Sequence, residues 1–169
     1  MTAVSANCIR YAQKALADWG TAQGIPVGFR AIRDPLNVAQ DDGTQHDEKV
    51  IFRVSAHHRP QSRTGQRRHS FAFEFHCLSK RGDLRLDGQA DRANILASLI
   101  EEEFLNKDVT VYDAVGGNLS TALGVLHFRR GSSRIGDQRG TIFGDSVDYS
   151  TETPKTEHWV VTVTASLNT

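Results

Sequence analysis

Two stretches with an apolar residue at every second position do most to limit what this chain can become. In residues 49–57, Val50, Phe52, Val54 and Ala56 fall on one side, and Ile51, Arg53, Ser55 and His57 on the other. In residues 70–78, Phe71, Phe73, Phe75 and Cys77 form a single stripe. An extended chain throws successive side chains to opposite faces, so each run reads as a strand that offers one face to a core. Between them, residues 58–69 hold Arg59, Arg63, Arg67 and Arg68 and no hydrophobic residue. The two runs therefore predict an antiparallel hairpin whose basic tip projects into water or onto a partner.

The flanking segments predict helices and further strands. In residues 5–20, Cys8, Ala12, Ala15, Leu16 and Trp19 recur at helical spacing, with Ser5 as the expected N-cap. Gly20, with Gly24 beyond it, is the expected stop. A second helix is expected over 88–106, capped by Asp87 and striped by Ala93, Leu96, Ile100 and Phe104. Glu101, Glu102 and Glu103 at its C-terminal end oppose the helix dipole; they read as a solvated face or as an acidic rim for a partner. A short strand at 25–32 ends at Asp34-Pro35 and leads into a polar loop with Asp41 and Asp42 at its turn. Strands are also expected at 109–115, 122–129 and 158–165.

Residues 131–156 form a polar arm of about two dozen residues. Arg134, Asp137, Arg139, Asp145 and Asp148 stand there among glycines, with Phe143 and Tyr149 scattered between them. Connections beyond roughly 12–15 residues are seldom plain linkers, so an extended hairpin or a loop that orders against a partner is expected. Two helices and about six strands in this order give an α+β domain spanning 1–169. Its sheet is expected to be mostly antiparallel, with both helices on one face and long polar loops.

Composition and motifs narrow the function classes. The chain has 169 residues, with 20 basic and 20 acidic side chains. A protein whose main work is gripping duplex DNA usually carries a basic balance, so any DNA contact is expected to be local or weak. The two cysteines sit in apolar patterns and read as core residues of a protein made in a reducing cytoplasm. No secretion signal and no apolar run long enough to span a bilayer is visible, so no membrane partner is expected. The seven histidines lack metal-ligand spacing; His57 and His58, for example, are adjacent on a strand and should point to opposite faces. There is no Gly-x-Ser-x-Gly elbow and no phosphate-cradling glycine loop. The residues thus predict no catalytic, metal or cofactor site, and a protein that is not an enzyme.

The order of helix, strand, long-looped hairpin, second helix and closing strands resembles the tail terminator, or tail completion, proteins of long-tailed bacteriophages. Residues 7–19, 49–78, 91–104 and 158–165 carry the likeness. The resemblance implies a structural virion protein at the head–tail junction, assembled in the bacterial cytoplasm. Such a protein forms a hexameric ring on the last ring of the tail tube, ends tube polymerisation and joins the tail to the head connector. The implied partners are other copies of itself, the tail-tube protein and the connector, with DNA at most passing through the lumen. Candidate contacts are Arg59, Arg63, Arg67 and Arg68, the acidic Asp41 and Asp42, and Arg134, Asp137, Arg139, Phe143, Asp145 and Tyr149 of the arm. Another ring component (a head–tail stopper, a tail-tube subunit or a baseplate hub subunit) is the alternative, followed by a small cytosolic enzyme.

Overall fold

The structure, a computed structural model, describes residues 3–29, 48–58, 68–80, 92–130, 142–147 and 156–168. In chain order these form α1 (Val4–Gln23), β1 (Val27–Gly28), β2 (Glu48–His58), β3 (Arg68–Lys80), α2 (Arg92–Phe104), β4 (Asp108–Asp113), β5 (Asn118–Arg130), β6 (Ile142–Val147) and β7 (Thr156–Asn168). The fold is α+β, with one sheet in the order β1-β2-β3-β7-β5-β4 and β6 also paired to β7. Every pairing is antiparallel except that of β1 with β2.

The expected hairpin is present. Val50 faces Cys77, Phe52 faces Phe75 and Val54 faces Phe73 across β2 and β3. These apolar positions join the buried stripes of α1 (Cys8, Ala12, Leu16) and α2 (Leu96, Ile100, Phe104) in one core cluster. Its centre is aromatic: Phe75 lies 4.7 Å from Phe104, Phe73 lies 5.1 Å from Phe52, and Phe104 lies 5.3 Å from Phe128. Each of these rings removes on the order of 150–250 Å² from water, so this seam supplies much of the driving force for folding. α1 touches β4 at one edge of the sheet and β1 and β2 at the other, so the sheet curls around it.

Several local expectations are corrected by tertiary contacts. A bulge in β2 between Val54 and Ala56 reverses the alternation beyond it. His57, not Ala56, therefore reaches the core side, where its ring stacks on Phe71 at 4.6 Å. His58 points the opposite way, as adjacent strand residues must. Helix α1 begins at Val4 with Ala3 in the cap position and no side-chain cap, so Ser5 is not the N-cap. Gly20 does not stop α1 but lies inside it. A Cβ there would come within 2.6 Å of Val27 Cγ1 and 2.7 Å of the Ile25 carbonyl, so glycine admits close packing of α1 on β1. The stop is Gly24, in the left-handed conformation at φ 68°. Asn106, at φ 60°, plays that part after α2. Residues 30–32 of the expected first strand and the expected cap Asp87 lie outside the described residues.

The arm contains a strand. β5 pairs with β7 from His127 opposite Ser166 to Arg130 opposite Val163. β6 takes up the same edge from Ile142 opposite Val161 to Val147 opposite Thr156. β5 and β6 thus lie end to end along one edge of β7, and residues 131–141 join them partway. The described part of the arm thus pairs with the closing strand β7 and not with another described segment of the arm.

Candidate interfaces at the two ends of the sheet

The strand directions sort the connections into two groups. β2 ends at His58, and β3 begins at Arg68, opposite Asn168 at the end of β7. The link between β2 and β3 therefore leaves the same end of the sheet as the turn between β4 and β5. At the opposite end lie Glu48, Lys80, Val147 and Thr156, where the connections before β2, after β3 and between β6 and β7 meet the sheet; the one from β5 to β6 leaves partway along β7. One sheet thus offers two separated surfaces.

The first end is built on the opening turns of α1. The Asn7 side chain is fully buried; its Nδ2 donates to Asp113 Oδ1 at 2.9 Å, and its Oδ1 accepts from the Val115 amide at 3.0 Å. Asp113 Oδ1 also accepts from the Gly116 amide at 3.0 Å. These bonds satisfy the turn's polar groups and fix it to the helix. Two residues earlier, Ser5 Oγ lies 3.1 Å from His57 Nε2 and 3.3 Å from His69 Nδ1. The start of α1 therefore pins both hairpins. Sequence reasoning missed this role, because Ser5 reads as a cap and a lone asparagine at position 7 carries no local signal.

β5 meets β7 only through 127–130, so its earlier part and β4 form a ribbon reaching beyond the end of β7. The ribbon turns Val111 into the core and leaves Val115, Leu119 and Val125 exposed, Leu119 at 65%. A pinned turn that carries exposed aliphatic side chains is an arrangement suited to contact with another protein. Among the described residues, the outer edge of β4 has no strand partner, and neither has that of β1.

At the second end, Arg92 Nε donates to Glu48 Oε1 at 2.8 Å and ties the start of α2 to the start of β2. Beside α1 lies an open cleft of about 530 Å³, lined by Tyr11, Trp19, Val109 and Thr110 among others. The lysines on its wall are engaged within their own segments, Lys14 with Asp18 at 2.6 Å and Lys107 with Glu103. At its rim, His127 Nδ1 donates to Asp108 Oδ1 at 2.7 Å, with Arg129 at 3.5 Å from the same oxygen. That hydrogen bond, then the charges of His127 and Arg129, hold the Asp108 carboxyl below its ordinary range. Among the described residues no group of three or more His, Cys, Asp and Glu side chains converges as a metal site.

The sequence-selected residues are distributed as follows. Arg68 is exposed at the start of β3. Phe143 and Asp145 stand in β6, opposite Val160 and His158. Arg59, Arg63, Arg67, Asp41, Asp42, Arg134, Asp137, Arg139 and Tyr149 lie outside the described residues. Glu48, at the start of β2, is paired with Arg92. Among the described residues no helix is long and apolar enough to cross a membrane. Comparison of the chain with protein-family models and with curated proteins finds no match.

Proposed function

We propose that this protein is a ring-forming subunit at the head-proximal end of a phage tail, where it ends tube polymerisation and joins the tail to the head connector. The observation that carries this reading is the opposition of the two surfaces. A tail-ending ring must grip the tube on one side and offer a different surface on the other. Connections leave both ends of one sheet, and the ribbon with Val115 and Leu119 is hydrogen-bonded to α1 at one of them. Head-to-tail rings also need two unlike patches on each subunit. The outer edges of β1 and β4, without a strand partner among the described residues and at opposite ends of the strand order, supply a pair of that kind.

The mechanism is occupancy. The ring binds the growing end of the tube and presents no further polymerising face. Purified protein is expected to form closed single rings in negative-stain images, and phage lacking it should make tails of unregulated length that the wild-type protein corrects. Bulk tubes would instead identify a tail-tube subunit. Tails of normal length that fail to join heads would identify a stopper. A monomer at all concentrations, even with tail tubes present, would overturn the ring reading.

A further inference from the structure

We propose that the sheet face opposite the core cluster binds the phosphodiester backbone of a nucleic acid. The strand register places five side chains of this face in one row across five strands: His58, Ser70, Ser166, His127 and Asp108. The next row holds Ala56, Ala72, Thr164 and Arg129, and a further one Arg53, Glu74 and Thr162. Over these rows β3 and β7 carry Ser70, Ala72, Thr162, Thr164 and Ser166, all half-buried, with Glu74 beside Thr162; further along, the same face holds the buried Ile51, His76 and Leu78. On the flanking strands it carries Arg53 and His58 on one side and His127 and Arg129 on the other. The result is a shallow trough floored by hydroxyls over its first two rows, with one arginine on each wall. Its walls stand three interstrand spacings apart, ~14 Å. Arg68 is exposed at its open end, opposite Asn168.

Charge complementarity selects the ligand. Arg53, Arg68 and Arg129 are exposed along this trough, in a chain whose overall charge is zero. The two carboxylates nearby are Asp108, paired with His127 and Arg129, and Glu74, which stands directly across from Arg53. Guanidinium groups and hydroxyls are the donors that hold phosphate oxygens in register without reading bases. The rows contain no Phe, Tyr or Trp on which a base could stack, so binding should be indifferent to sequence. This inference does not rest on the ring reading. A ring without affinity for nucleic acid would lose it, and a monomer that binds would keep it.

The test is fluorescence anisotropy of the whole protein with a labelled 20-base-pair duplex and a single strand of the same length, at about 50 mM salt. Binding should be independent of base sequence and should weaken steeply with salt. The Arg53→Thr/Arg129→Thr variant should bind at least about tenfold more weakly. Its log–log salt slope with duplex should be shallower by about 2, since each phosphate contact contributes about 0.9. An Arg10→Ala/Lys14→Ala variant removes the same charge from α1 and should bind as the wild type does. The comparison of duplex with single strand identifies the source of the backbone. Three results would overturn the proposal: no binding of either nucleic acid, equal loss in the α1 variant, or polyglutamate bound as tightly as DNA. A fourth would too: loss confined to Arg59→Ala/Arg63→Ala/Arg67→Ala, with the trough variant unaffected.

Discussion

At the scale of single residues, burial and not chemistry explains the reactive groups. Cys8 and Cys77 are fully buried. Burial pushes the Cys8 thiol from its ordinary 9.0 up to about 12, and the Cys77 thiol higher still. Both should therefore resist alkylation in native protein at pH 8 and react once urea unfolds the chain. The sign of the linkage follows: the unfolded thiols lose protons near pH 9 while the folded ones keep theirs, so stability should fall as pH rises from about 9 towards 12. Urea midpoints at pH 8 and 10 would show it, and a Cys8→Ala/Cys77→Ala variant should flatten the difference. His76 moves the other way. Burial lowers its pKa, against the opposing pull of Glu74. The unfolded histidine then takes up a proton first as pH falls below about 6.5, and stability should decline there. His76→Gln should reduce that decline in acid titrations followed by circular dichroism. The Phe75 ring packs against both Phe52 and Phe104 in the core. Phe75→Ala should cost about 3–5 kcal/mol in urea unfolding.

At the scale of elements, α1 does more than cover the sheet. Its first turns hold two hairpins through Ser5 and Asn7, so the stiffness of the β4–β5 ribbon depends on a buried amide. Asn7→Ala leaves the Val115 amide and the Asp113 carboxylate without that partner, at a cost of about 1–3 kcal/mol. Hydrogen exchange should quicken in residues 113–118, while the β3–β7 pairing keeps its protection. A variant whose ribbon exchanges no faster than wild type would show that the turn holds without the helix. The helix stripes and the hairpin were legible in the sequence because periodicity reports which face is buried. The roles of Ser5 and Gly20 were not, because cap and stop residues look the same as residues used for a tertiary contact. The bulge in β2 was equally hidden. Nothing local marks it, and the stacking of His57 on Phe71 exists only once β3 lies alongside.

At the scale of the whole molecule, the arm is where sequence and structure part most. Gly144, Asp145 and Ser146 give residues 142–147 no strand pattern, yet β7 offers a free edge there and β6 takes it. β5 and β6 each pair with β7, so residues 132–140 link two paired strands. Replacing them with a three-residue Gly-Ser-Gly link should shift the melting temperature by no more than about 2 °C, since loop closure depends weakly on length. Deleting 142–147 should destabilise the domain markedly, because the edge of β7 is uncovered. If the ring proposal is right, the short-loop variant should still fold while losing control of tail length; normal tails would remove that role from residues 132–140. The sequence alone determined the class of the fold, the hairpin, the helix faces and the identity of the core, because those follow from where apolar side chains recur along a short stretch of chain. Which turn is pinned, which strand fills an open edge and which polar side chains line up across five strands were decided only by the tertiary structure. Those relations join residues up to 108 positions apart, as Asn7 and Val115 are, and no local pattern records a contact made at that distance.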